Sequence, residues 1–111
     1  MLISHPAIQK LQQNISVERI IEKVAKAGNA QADDLRDRKT KLKDLRQMAM
    51  ELSYRYSNCK QTEVGRIFGV DYSTVSRSRA RLKAKLKSSC KLKEQFHRIL
   101  EQIENFKPFN G

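Results

Sequence analysis

Apolar residues along this chain recur at the three-and-four spacing of helices that bury one face. Ile20, Ile21 and Val24 share a face, and Ser16 stands ahead of them as a helix N-cap. Ile15 before that cap and Ile20 at the fourth helical position form a hydrophobic staple. Gly28 then supplies a left-handed stop. A short helix is expected around residues 31–35. The run RDRKTKLKD (36–44) holds too little apolar content to pack and reads as an exposed basic loop. Leu45, Met48, Ala49 and Leu52 resume the helical period and predict a long helix to about Tyr56. Ser57 and Asn58, both turn formers, end it before Lys60. A last helix is expected over residues 92–106, with Leu92, Phe96, Leu100 and Ile103 on one stripe. With no valine- and threonine-rich alternation, and only 4 Gly and 2 Pro, the pattern predicts an all-α fold of about six helices in a compact bundle. Residues 1–14 lack caps and read as an N-terminal linker or tail, 15–106 as one domain, and 107–111 as a C-terminal tail.

The stretch QTEVGRIFGVDYSTVSRSRARLKAK (61–85) carries a more specific pattern. A helix-turn-helix needs a small residue in its first helix, because the second crosses close above it. It also needs a glycine at the turn for positive φ, and apolar residues where the two helices face each other. Gly65 stands at the small position and Gly69 at the turn. Val64, Phe68, Val70 and Val75 take the apolar positions, and Asp71 is placed to cap the second helix through the amide of Ser73 or Thr74.

Charge gives that motif a direction. The 111 residues carry 23 Lys+Arg against 12 Asp+Glu, a net charge of +11. Residues 36–93 hold 17 basic and 5 acidic residues, so the excess lies around the helix-turn-helix and the ends are close to neutral. A one-sided basic field suits a polyanion. No apolar run approaches the roughly 18 residues of a membrane span, and no signal-peptide pattern opens the chain. Cys59 and Cys90 lie far apart without a C-x-x-C spacing or a nearby histidine. They read as reduced, partly buried thiols of a cytoplasmic protein, with no metal, cofactor or small-molecule ligand expected.

In a helix-turn-helix the N-terminal residues of the second helix face base edges in the major groove. Here these are Tyr72, Ser73, Ser76 and Arg77, with Ala80 leaving room for close approach. Serine and threonine specify weakly, whereas one arginine can grip guanine O6 and N7 together. Further along, Lys83, Lys85 and Lys87 suit phosphates, and Arg79 and Arg81 read as phosphate or solvent contacts. Lys39 and Lys41 in the basic loop, and Lys60, Gln61 and Thr62 at the start of the first motif helix, complete the set assigned to the DNA backbone.

The run from ISVERII (15–21) through RQMAM (46–50) to DYSTV (71–75) resembles the C-terminal DNA-binding domain of the bacterial replication initiator DnaA, its domain IV, which has a Trp repressor-like fold. The resemblance covers about residues 15–104. It implies that Arg38, in the basic loop, enters the minor groove. It also implies that Asp71, Tyr72, Ser73 and Thr74 read bases where the family has Asp-His-Thr-Thr. Two departures stand out: Gly69-Val70 replaces the initiator's Gly-Gly-Arg, and Tyr72 and Ser73 replace its histidine and first threonine. The initiator's nine-base-pair box is therefore not carried over as the target.

The 111 residues hold no phosphate-binding loop, and His5 and His97 form no His-x-His pair. No catalytic residue is assigned in this chain. The DYSTVSRSR variant is similar to the DnaA-like domain of REP-associated tyrosine transposases of the HUH type, which implies a DNA-targeting piece whose catalytic domain lies elsewhere. The expected partner is double-stranded DNA in the bacterial nucleoid, bound by a monomer unless a longer parent dimerises, with no membrane partner. A stand-alone transcription or replication regulator is the alternative. A basic RNA-binding protein ranks last, because aromatic residues make up only 6% of the chain and mostly sit at core spacing.

Overall fold

In the computed structural model, which describes residues 15–104, Ser16 caps the first helix, α1 (Val17–Ala27), by accepting from the Arg19 amide at 3.2 Å. Such a cap contributes about 1 kcal/mol. Ile15 and Ile20 are both buried, as a staple requires, and the Ile15 amide donates to the Tyr56 carbonyl at 2.8 Å. Val17, Ile20, Ile21, Val24 and Ala25 form the buried stripe. The helix ends differently from expectation. Gly28 has φ −100°, and the left-handed residue is Asn29 at φ 56°. The Ala30 amide reaches back to the Ala25 carbonyl at 2.8 Å and that of Asn29 to Lys26 at 3.2 Å, closing a Schellman motif around Asn29. Glycine at 28 leaves room for the Leu45 side chain, which a Cβ there would force to shift.

A short α2 (Ala32–Arg36) follows, with Asp34 accepting from the Gln31 amide at 3.2 Å and Leu35 buried beneath it. The basic loop is shorter and better ordered than residues 36–44, for Arg36 closes α2 and Lys43 opens α3 (Lys43–Tyr56). Within residues 37–42, Asp37 accepts from the Lys39 amide at 2.9 Å and the buried Thr40 hydroxyl accepts from the Leu42 amide at 3.1 Å. These side-chain turns replace the apolar packing the segment lacks.

The central helix is α3. The sequence marks one apolar face, yet every residue from Leu45 to Ser53 is buried, because α1, α2, α4 and α5 surround it. Its polar residues Arg46, Gln47 and Glu51 are buried with hydrogen-bond partners from those neighbours. Ser57 and Asn58 end it as expected, Asn58 with φ 57°.

The remaining three helices are α4 (Gln61–Phe68), α5 (Tyr72–Ser88) and α6 (Cys90–Glu104). Only Ser89, in an extended conformation, separates α5 from α6. Its hydroxyl accepts from the Leu92 amide at 3.2 Å, and so caps α6 two residues earlier than the apolar stripe suggests. Phe96, Ile99 and Ile103 form the buried line of α6, with Leu92 and Leu100 at its margins. The Tyr56 hydroxyl donates to Glu104 at 2.8 Å, which fastens α6 to α3. Burial, then the Glu104 carboxylate, pushes that phenol up to about 12. The described residues contain helices and no strand. Cys59 is half-buried, whereas Cys90 is exposed rather than partly buried. The tails assigned to residues 1–14 and 107–111, and the helix end expected near Phe106, lie outside the described residues.

Candidate nucleic-acid interface

The corner between α4 and α5 is built on two glycines with different duties. Gly69 ends α4 at φ 74°, ψ 29°, a conformation open to glycine at little cost. Gly65 lies under the crossing, where the Val70 amide donates to its carbonyl at 2.8 Å. A Cβ at 65 would stand 2.5 Å from the Val70 carbonyl oxygen and 3.3 Å from the Asp71 backbone. Val64, Phe68 and Val75 are completely buried in the angle and Val70 is half-buried. Asp71 caps α5 by accepting from the Thr74 amide at 2.9 Å, the second of the two amides the sequence offers. That hydrogen bond holds the Asp71 carboxyl below its ordinary range.

Of the seventeen residues of α5, only Val75 and Leu82 are fully buried. Asp71, Tyr72, Ser76, Arg77, Ala80 and Arg81 are exposed, and Ser73 and Thr74 are half-buried beside them. Tyr72 is 59% exposed, a large aromatic ring held in solvent at the first turn of the helix. The Arg77 guanidinium reaches back to the Thr74 hydroxyl at 3.4 Å. Ser73, Arg77, Ala80 and Ala84 follow one another at helical spacing, so one arginine projects from a ridge of small side chains. Lys83 and Lys87 are exposed on the following turns.

The basic loop lies against the same corner. Arg38 is exposed, and its methylene stem passes over the turn: a Cβ on Gly69 would be 3.6 Å from Arg38 Cδ. Lys39 and Lys41 are exposed beside it. Arg38 borders two open clefts. One, about 290 Å³, lies between the loop, α3 and α5, where Lys43, Arg46 and Arg81 join Arg38 around Thr74 and Ser78. No carboxylate lines it. The other, about 750 Å³, runs along the loop to Arg66 and Gly69. Lys60 and Thr62 are exposed at the start of α4, where amides unpaired within a helix point outward.

Several cations of this region are held internally. Arg46 is 6% exposed and donates to the carbonyls of Leu35 at 2.8 Å and Phe68 at 2.9 Å, with its guanidinium 5.3 Å from the Phe68 ring. Burial, and secondarily the charge of Arg38, draw its pKa below the usual arginine value. Lys85, assigned from the sequence to a phosphate, points instead to α3, paired with Asp44 at 2.7 Å and bonded to Gln47 at 3.1 Å. Gln61, also assigned to a phosphate, accepts from Arg79 at 2.6 Å through its side-chain oxygen. Arg79 pairs in turn with Glu51 at 2.6 Å. Sequence reasoning missed Lys43 and Arg66 on the clefts, and the Arg79–Glu51 pair. The pair spans 28 positions, whereas the other partner of Glu51, Arg55, stands at a helical i,i+4 spacing.

A family model described as the bacterial dnaA protein helix-turn-helix matches residues 17–81. The match runs from the first turn of α1 through the first ten residues of α5. No curated protein and no solved structure matches the chain. Among the described residues no helix is long and apolar enough to cross a membrane, and no group of three His, Cys, Asp or Glu residues could hold a metal ion.

Proposed function

The chain belongs to the bacterial DnaA helix-turn-helix family, whose domain binds double-stranded DNA, and from that premise we propose that it recognises a specific duplex site through two adjacent grooves. The observation that carries this reading is the seating of Arg38 over Gly69, which places the basic loop beside the exposed start of α5. A recognition helix in a major groove is accompanied in some readers by a basic segment in the adjacent minor groove, as the homeodomain arm shows. In this reading Asp71, Tyr72, Ser73, Thr74, Ser76 and Arg77 face base edges and Arg38 enters the minor groove. Lys39, Lys41, Lys60, Thr62, Arg81 and Lys83 face phosphates. Gln61 serves the backbone through its main-chain amide, and Lys85 only if it exchanges Asp44 for a phosphate. The DYSTVSRSR sequence supports a finer reading. The chain would be the DNA-targeting part of a REP-associated transposase and would itself catalyse nothing.

The test is binding to labelled duplexes across a salt series. If about five or six phosphates are neutralised, log K against log salt falls with a slope of about −5. A slope near zero, or equal affinity for single strands, would remove the docking arrangement.

Arg38 and Lys41 separate under mutation. Arg38→Ala is expected to weaken binding most where the flank is A·T-rich, since a narrow minor groove attracts arginine. Lys41→Ala should lower affinity to a similar degree on every flank. Measuring both variants on a set of flank sequences decides the matter: identical losses everywhere would exclude minor-groove entry by Arg38.

A further inference from the structure

Base reading requires α5 to be fixed in rotation about its own axis, yet Val75 and Leu82 are its only fully buried side chains. Leu86 packs half-buried further along, and Lys85 bonds to Asp44 and Gln47 there. The turns behind the exposed start of α5, however, are seated on Val75 and Leu82, whose apolar side chains make no directional bond. Between them in sequence stands Arg79. Its Nε donates to Glu51 at 2.6 Å and its Nη1 to the Gln61 side chain at 2.6 Å, and its guanidinium lies 3.8 Å from the centre of the Tyr54 ring. The Glu51 side chain is 3% exposed, and its other oxygen accepts from Arg55 at 2.6 Å. One planar group therefore engages α3 and the first residue of α4 in directions set by its own fork. Arg79 also follows Tyr72 by seven residues and Ser76 by three, on the same stripe of α5.

We propose that Glu51, acting through Arg79, is a positioning residue for base recognition: the bracket sets the rotation of α5 and so the aim of Tyr72, Ser76 and Arg77. The inference rests on the reading of α5 as the base-contacting helix. A nearly buried ion pair is a weak source of stability, and replacing it with apolar side chains is often neutral. Its directional bonds are what an apolar replacement would lack. Arg79 is only 21% exposed and its Nε and Nη1 are engaged within the protein, so it is poorly placed to serve phosphates directly.

The double variant Glu51→Leu/Arg79→Met tests this, because it removes one charge of each sign and leaves the net charge at +11. Thermal unfolding and helical circular dichroism establish that it folds. Affinity is then measured on the preferred duplex and on a scrambled one, each across a salt series. Scrambled-duplex affinity is expected to stay within about twofold, with the same salt slope. The preferred-to-scrambled ratio should fall about tenfold, comparable to losing one base-edge contact. A folded variant that keeps the parent's ratio would show the bracket to be structural only and overturn the proposal. If the double variant does not fold, Arg79→Lys decides. It keeps the charge but cannot span Glu51, Gln61 and the Tyr54 ring together, so its ratio should fall while its scrambled-duplex affinity holds; an unchanged ratio overturns the proposal. If the parent protein itself does not discriminate between the two duplexes, the proposed function fails and this inference goes with it.

Discussion

Gly65→Ala is expected to lower stability by about 2–3 kcal/mol and to weaken duplex binding, although it adds one methyl group. The added carbon would stand 2.5 Å from the Val70 carbonyl oxygen, which belongs to the turn backbone and cannot rotate away as a side chain would. Relief requires α5 to lift from α4, which uncovers Val64, Phe68 and Val75 and shifts the exposed start of α5. Gly69→Ala makes the comparison. There the added carbon meets only the Arg38 stem, at an ordinary 3.6 Å from Cδ, and the penalty is the left-handed backbone at φ 74°, about 1 kcal/mol. Urea unfolding of the two variants should therefore rank Gly65→Ala as the more damaging. The opposite ranking would mean that close crossing of the helices is not what the glycine at 65 permits.

Arg77→Ala should leave stability nearly unchanged and cost about 1–3 kcal/mol on the preferred duplex, with relaxed choice at one base pair. Arg77 is the one long cation on the ridge of Ser73, Ala80 and Ala84, and its contact within the protein is a long one to Thr74. Lys83, exposed about a turn and a half further on, is the contrasting case. Lys83→Ala should weaken specific and non-specific binding alike and make the salt slope shallower by about one unit. Tyr72→His should shift base preference rather than abolish binding, since the ring is exposed and supports no core contact. Affinity over all single-base variants of the site measures each effect. Unchanged profiles for both Arg77→Ala and Tyr72→His would show that α5 does not read bases.

Local signals gave the sequence most of its legibility. Ser16, Asp71 and Gly69 act through bonds to residues within five positions of themselves, so their roles could be read without knowing the fold. The all-α fold and its helix order followed from periodicity for the same reason. Gly28 was misjudged because a glycine after a helix has two uses. Its handedness role fell to Asn29, while the room it leaves is taken by Leu45, seventeen positions away. The burial of α3 on every side was invisible because the partners of Arg46 and Glu51 arrive from other helices. Lys85 shows the same limit. Its place on a basic helix suggested a phosphate, but Asp44 pairs with it across 41 positions. Charge counts give the sign of a surface, whereas ion pairing over long separations decides which cations remain available to a ligand.

Selection of bound sequences from a random duplex pool, with a pool of single strands and one of RNA run beside it, tests the central claim most directly. The expected outcome is a single enriched duplex motif, a short core read by α5 with an A·T-rich flank on the side where the Arg38 loop lies. Arg77→Ala should blur one position of the core, and Arg38→Ala should erase the flank. Recovery of no motif from the duplex pool, or equal retention of single strands or RNA, would contradict the assignment of this domain as a reader of double-stranded DNA sequence.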